Sequence, residues 1–476
     1  MADFTSRLPP ELIHGILDLA TLGKIIRVSL VCQRFRSIAF DHPTYWRYIC
    51  VDFASVTCSD GTLISAVPVI RAIAQLARST NALVEVRTLW PDHLTARSSL
   101  HAAVVQLIHR LSRAILSNMH RIRRLDIELL VHHLPSILRM PNNTLDAPTL
   151  EHLVLFGSRP GAFAHIPPPL GLTAPNLHTL TIQPAGFRLA ENVVLPRVVN
   201  LTLLRVRYTE MRGRGDWRTI CPNVRNLTIR TLSKELHDLP QTWHPWRLRS
   251  LSITVDVLET ALSRSPTLLD VHELRVDFPD DILSDHSAYV GALVSHVHRR
   301  NSNVSLHFDV HSTTLSLVDS SIPQSTSHTL HGMPNIGQGV GLSAMASYIT
   351  AVDMCLYNWT NFTHVFSSLP CLSRLALVLP FGDNGELSLR RALPHLHGIL
   401  HCPRMRALQV RIIGVDKTVQ ASSILHIVSH HLTGLLMGSV SLDLQNVVLE
   451  GDTAALFRSS VFIDPFPQGA ITVSTP

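Results

Sequence analysis

Twenty-eight histidines and seven cysteines are the residues of this 476-residue chain whose types could do chemistry, as metal ligands, acid–base groups or nucleophiles. The tightest histidine groupings are His132-His133, His430-His431, and the set His395, His397 and His401. His397 and His401 stand four apart on a stretch expected to be helical, Leu387 to Leu400 and just beyond, where two imidazoles can share one ion; Cys402 is next to them. No His-Glu-x-x-His occurs, no second half-site recurs at a set distance, and no acidic residue lies close by. They read as surface histidines, and no metal is expected. The cysteines (32, 50, 58, 221, 355, 371, 402) are odd in number and scattered, with no Cys-x-x-Cys pair, so they read as reduced, mostly buried thiols of the cytosol or nucleus. Gly337 to Gly341 lacks the lysine and the preceding strand of a phosphate loop, and Gly341-Leu342-Ser343 has no glycine two positions after the serine, as a nucleophile elbow needs. No catalytic residue and no cofactor are expected.

The elements that would position a site therefore carry the reading. A hydrophobic content of 46% and a mean hydropathy of +0.20 belong to a folded chain long enough for one or more full cores. No apolar run reaches the length of a membrane span, and MADFTSRLPPEL lacks both a basic n-region and an apolar h-region, which argues against membrane insertion and secretion. The expected location is cytoplasm, nucleus or both. The net charge of +6 is uneven: Arg188 to Arg230 holds nine arginines against Glu191, Glu210 and Asp216. Its Gly-Arg tip, Arg207 to Arg218, could touch phosphate or an acidic partner. Without interleaved aromatic residues or a known module, nucleic-acid binding is not the expected role.

At the N-terminus, Leu8-Pro9-Pro10-Glu11-Leu12 opens a helix, and Leu12, Ile13, Ile16, Leu17 and Ala20 form one apolar stripe. After a turn at Gly23, a second helix carries Ile25, Val28, Val31, Phe35 and Ile38 on one face, with Cys32 beside them as a small packing residue. A third begins near Pro43 and brings in Tyr45, Trp46 and Ile49. So small a core should lean on a neighbour. Leu8, Pro9, Glu11, Leu12, Ile16, Leu17, Leu30, Val31, Cys32, Arg34, Phe35 and Trp46 stand in the order and spacing of the F-box, which this stretch resembles. Ala20 and Leu22 depart from the usual leucine and proline, and Phe35 from a frequent tryptophan. The resemblance implies docking onto the Skp-type adaptor of a cullin-RING ubiquitin ligase, through Leu8, Pro9, Leu12, Ile13, Ile16, Leu17, Val31 and Phe35. The alternative is a three-helix cap on the downstream domain.

Downstream, one phrase recurs, apolar-x-x-apolar-x-apolar: IRRLDI, LEHLVL, LHTLTI, VVNLTL, VRNLTI, LRSLSI, VHELRV, ITAVDM, LSRLAL and MRALQV, with looser copies NVSLHF and SVSLDL. It resembles the leucine-rich repeat, one short parallel strand per repeat, although Ser158, Ala185, Val206, Leu232 or Asp256 stands where that family has asparagine. The expected fold is α/β: a three-helix F-box over 1–50, a mostly helical connector over 51–120, and an irregular leucine-rich-repeat-like solenoid over 121–458. A mobile loop is expected at 311–343 and a loose tail at 459–476. The whole resembles a fungal-type F-box protein with a degenerate repeat domain. Its expected role is substrate recruitment without catalysis, a ligase-independent repeat scaffold being the alternative. Residues between the apolar members alternate outward. Those expected to hold an unidentified target protein are Thr179, Thr181, Gln183, Asn200 and Thr202, then Asn226, Thr228, Arg230, Ser252 and Arg275.

Overall fold

A computed structural model of the protein describes residues 8–20, 22–58, 61–79, 82–89, 102–129, 144–157, 170–182, 189–190, 192–206, 217–231, 247–254, 258–259, 262, 266–277, 287–300, 302–308, 315–319, 326–331, 342–379, 393, 396–412, 417–436, 439–458 and 462. The chain divides into two units, 1–240 and 241–476.

In the first unit, proline in the first turn and Glu11 at the positive end start α1 (Pro10–Asp18). α2 (Leu22–Ser29) stops where the amides of Leu30 and Val31 turn back onto Arg27 and Val28, each at 3.1 Å. α3 (Gln33–Asp41) and α4 (Pro43–Arg47) come next. The single helix expected from Ile25 to Ile38 is thus two helices. The break falls at Cys32, whose extended backbone (φ −156°, ψ 169°) lets its sulfur cap α3 instead of packing within a continuous helix. Ile13, Leu17, Ile25, Ile38, Ala39 and Tyr45 form the small core, with Val28, Phe35 and Trp46 packed against it.

α4 runs without a linker into β1 (Tyr48–Asp52), so the first strand begins inside the segment expected to be F-box. α5 (Val67–Arg78), β2 (Val84–Leu89), α6 (Ala102–Ser117) and β3 (Ile122–Leu129) alternate as helix and strand. From there the connections hold turns and short strands: β4 (Thr144–Asp146), β5 (His152–Gly157), β6 (Gly171–Thr173), β7 (Thr179–Ile182), β8 (Asn200–Val206) and β9 (Asn226–Thr231). The sheet order is β1-β2-β3-β5-β7-β8-β9, every pairing parallel, with β4 and β6 as a separate parallel pair. Leu125, Leu153, Leu180, Leu201 and Leu227 stand in one register across it, all buried. Each such leucine is worth about 1.5–3 kcal/mol on burial.

What spaces β5, β7 and β8 is a turn that precedes each of them. Proline sits second in four-residue turns closed from Leu150 to Ala147, Leu177 to Ala174 and Val198 to Leu195, at 3.1–3.2 Å. The residue after the proline reaches back to the preceding turn: Asn176 Nδ2 donates to Pro148 O at 2.7 Å and Asn223 Nδ2 to Pro196 O at 2.8 Å. A side-chain ladder therefore exists on the N-terminal side of these strands.

The second unit contains β10 (Ser250–Thr254), β11 (Glu273–Asp277), β12 (Val304–Phe308), β13 (Leu315–Asp319), β14 (Ser327–His331), β15 (Ile349–Cys355) and β16 (Arg374–Leu379). Then come β17 (Leu400–His401), β18 (Ala407–Ile412), β19 (Lys417–Gln420), β20 (Leu432–Thr433), β21 (Ser441–Gln445) and β22 (Val447–Glu450). Its main sheet runs β10-β11-β14-β13-β12-β15-β16-β18-β21. All pairings are parallel except the meander β14-β13-β12. The stretch 311–343, expected to be a loop, thus supplies two strands; its Ser, Thr, Gly and His content hides the alternation of Leu315 and Leu317. The same proline turn recurs as Leu369–Leu372 and Cys402–Met405. Helices Ser287–Arg300, Trp359–Val365 and Ala421–His431 lie in the longer connections. The architecture is α/β with mostly parallel strands. Among the described residues no helix is long and apolar enough to cross a membrane.

Candidate functional site: an apolar docking surface on the N-terminal unit

α1 has two apolar faces. Ile13 and Leu17 are 1% exposed, buried against α3 and α4, while Leu12 and Ile16 are 57% and 59% exposed and Leu19 is 90% exposed. Leu8, Leu12, Ile16 and Leu19 show the i, i+4, i+8, i+11 spacing of one helix side. Ile13 and Leu17 were expected on the docking surface; they are core instead, because a four-segment unit this small uses the opposite side of α1 to close itself. Phe35 is likewise half-buried against that core.

The α2–α3 break adds the second half of the surface. Leu30 and Val31, 69% and 66% exposed, occupy the turn that leaves the helix stripe. Two polar contacts hold that turn in place. Cys32 Sγ accepts from the Phe35 amide at 3.5 Å, and the Arg34 guanidinium donates to the Leu8 carbonyl, joining the start of α1 to α3. Arg36 Nε donates to Ser29 O at 3.1 Å across the same break. The residue pattern Val-Cys-x-Arg-Phe therefore encodes a cap, a tether and a core ring in succession, and brings Leu8, Pro9, Leu30 and Val31 to one region.

The unit is braced internally and fastened to α5 and β2. His42 Nε2 pairs with Asp18 Oδ1 at 3.1 Å, closing α1 onto the α3–α4 corner. Trp46 donates its indole N–H to Phe40 O, and the Arg78 guanidinium of α5 lies 5.9 Å from the centre of its ring. Arg47 pairs with Glu85 of β2 at 3.3 Å.

The residues expected to hold a target share one face of the first unit's sheet. Thr181, Thr202 and Thr228 stand side by side in register, as do Thr179, Asn200 and Asn226. The second row is a ladder: Asn226 Nδ2 donates to Asn200 Oδ1 at 2.6 Å, and Asn200 Nδ2 to Thr179 Oγ1 at 3.3 Å. Arg230 is exposed beyond them. In the second unit Ser252 pairs with Arg275 in register, and Arg275 is held by Asp277 at 2.9 Å. Gln183 lies outside the described residues, as do 207–216 of the Gly-Arg segment. The equivalent face at β15, β16 and β18 is already closed by its own polar groups. Arg411 reaches Asp353 at 2.7 Å, His307 meets the same carboxylate at 3.3 Å, and Arg374 bonds Gln409, which bonds Asp443.

The histidine groupings do not converge. His401 is in β17 and bonds Thr433 Oγ1 at 3.4 Å, and His397 precedes that strand outside any helix, so the helical i, i+4 geometry expected for the pair is not formed. His431 is buried with Nδ1 on Gly398 O at 3.1 Å, whereas His430 stacks on His426. His132, His133 and His395 lie outside the described residues. Among the described residues no group of three or more His, Cys, Asp or Glu could hold a metal ion. Burial pushes the Cys221 and Cys402 thiols up to about 12. Both are neutral packing groups at physiological pH.

Residues 5–52 match the family of F-box-like domains. No curated protein matches the chain.

Proposed function

We propose, starting from an N-terminal unit of the F-box-like family, that the chain is the substrate-recruiting subunit of a Skp-cullin-RING ubiquitin ligase. The observation that carries this reading is the apolar surface of Leu8, Leu12, Ile16, Leu19, Leu30 and Val31 on a unit whose own core is complete without them. Large apolar residues left exposed on one helix side and on a neighbouring turn mark a protein interface, and the helices of a Skp-type adaptor are the partner that the family implies. The parallel strands, with their recurring proline turn, support reading the sheet of each unit by itself as irregularly leucine-rich-repeat-like and as the part that holds the target protein. Ubiquitin transfer belongs to other subunits, so the chain carries no catalytic step of its own. It works in the cytoplasm or nucleus, where such ligases act and unpaired thiols persist.

The test is Leu12→Glu with Ile16→Glu in the full chain. Both residues are exposed, so stability should move by less than about 0.5 kcal/mol. Adaptor capture should fall at least about thirtyfold, the loss expected on removing interface anchors worth about 2 kcal/mol or more. Undiminished adaptor binding by this variant sinks the proposal. Copurification of adaptor without any cullin from native cells would favour a ligase-independent adaptor role instead.

A further inference from the structure

Two helices of the first unit carry arginines and no carboxylate. α5 and α6 hold Arg71, Arg78, Arg110 and Arg113, and neither contains an aspartate or a glutamate. Crossovers between neighbouring parallel strands share one hand, so both helices lie on one side of β1-β2-β3, where they pack on each other. Val69, Ala72 and Leu76 of α5 and Leu107, Leu111 and Ile115 of α6 fill the inner side. The arginines are left outward. Arg71, Ala74 and Arg78 are exposed at helical spacing on α5, as are Gln106, Arg110 and Arg113 on α6.

Among the described residues the guanidinium groups of Arg71, Arg110 and Arg113 have neither an ion pair nor a hydrogen bond, and that of Arg78 lies beside the Trp46 ring. Arg71 and Arg78 are two helical turns apart, about 10.5 Å, and packed helix axes lie about 8–10 Å apart. The four charges are therefore spaced at about one Debye length, roughly 8 Å at physiological salt, and act as one patch. Apolar residues stand at its end. Ile64, Val67 and Ile70 are 56%, 66% and 46% exposed where α5 begins. They are fixed in place: the Ile64 amide donates to Val56 O at 2.8 Å, and Ser65 Oγ accepts from the Val67 amide at 3.2 Å.

We propose that this face docks on an anionic membrane surface, with Ile64, Val67 and Ile70 in the boundary between headgroups and acyl chains and Arg71, Arg110 and Arg113 on lipid phosphates. Branched apolar side chains beside unpaired cations are what such a surface takes, the apolar groups entering the interfacial layer while guanidinium forks meet phosphate. Nucleic acid fits less well, because neither helix has an aromatic ring on which a base could stack. An acidic protein segment also fits less well. Between Arg71 and Arg78 the exposed residues are Ala74 and Ala77, which offer a partner no side-chain hydrogen bond, whereas protein interfaces carry about one bond per 100–200 Å².

Flotation of the full chain with vesicles of about 30% phosphatidylserine in phosphatidylcholine, and with phosphatidylcholine alone, tests this. Binding should be confined to the anionic vesicles and should weaken as salt is raised to about 0.5 M. Arg110→Gln with Arg113→Gln should lower it about twentyfold, since each arginine near such a surface contributes about fivefold. Val67→Ser with Ile70→Ser should lower it at least about tenfold at unchanged charge. All four residues are exposed, so both variants should keep the parent's thermal midpoint. Failure of the parent chain to bind anionic vesicles overturns the proposal, as does undiminished binding by either variant. Loss of adaptor capture in these variants with vesicle binding unchanged would assign the face to a protein partner and likewise overturn it.

Discussion

Cys221 and Cys402 show how a residue suited to chemistry can be held for shape. Each precedes the proline of a repeat turn, Pro222 or Pro403, a place taken elsewhere by Ala147, Ala174, Leu195 and Leu369, all buried. The place requires a small or medium apolar side chain, and a neutral thiol satisfies that. Because burial lifts both thiols from 9.0 to about 12, the unfolded chain releases protons between these values that the folded chain retains. Their contribution is fully present below about pH 9 and declines as pH rises towards 12, by roughly 1.4 kcal/mol per pH unit for each thiol. Denaturant midpoints at about pH 8.5 and 10.5 should therefore differ less in Cys221→Ala with Cys402→Ala than in the parent chain. An unchanged difference would show that these thiols do not titrate as their burial requires.

At the scale of the element, α5 ends on a buried arginine. Arg121, just before β3, is 5% exposed and donates to Leu76 O, to Ser79 Oγ at 2.6 Å and to Ala82 O at 3.4 Å. Asn118 Oδ1 takes two further bonds, at 2.7 and 2.9 Å. The guanidinium adds a charged donor at Leu76 O, which Ser79 Oγ also reaches at 2.9 Å, at the negative end of the α5 dipole, and it supplies the Asn118 side chain and Ala82 O. Desolvation lowers the Arg121 pKa without removing its charge. Arg121→Met should cost about 2–4 kcal/mol, since each unsatisfied buried group costs about 1–3 kcal/mol. Arg121→Lys should recover only part of that, because one ammonium cannot reproduce the fork. Thermal unfolding of the two variants decides; a neutral methionine variant would refute the account.

For the whole molecule, the two units offer different outer faces. In the second, Asp353, Arg374, Gln409 and Arg411 are occupied with one another. In the first, Thr181, Thr202 and Thr228 present a neutral row of hydroxyls without partners among the described residues. Such a row suits the backbone of an extended peptide. Thr181→Arg with Thr228→Arg should abolish target capture from native cells while adaptor binding continues, and Arg212→Glu with Arg214→Glu in the Gly-Arg segment should leave capture intact. The reverse pattern would move the target site to the Gly-Arg segment.

The sequence by itself determined where the strands of the recurring phrase lie, among them Ile122–Leu129, His152–Gly157, Thr179–Ile182 and Ala407–Ile412, because a short alternation of apolar and other residues suits a buried strand. It also determined the family of the N-terminal unit, since cap, tether and core ring fall at fixed spacing in Val31 to Phe35. Only the tertiary structure decided which apolar residues of α1 face outward. Leu12, Ile13, Ile16 and Leu17 are chemically alike, and burial depends on where α3 and α4 pack. The turn ladder was written in Pro-x-Leu and Pro-x-Val but legible only afterwards, because its acceptors are main-chain carbonyls of the preceding turn, about twenty-seven residues away. The meander at Leu315–His331 belongs with these, its pairing being a matter of space and not of local pattern.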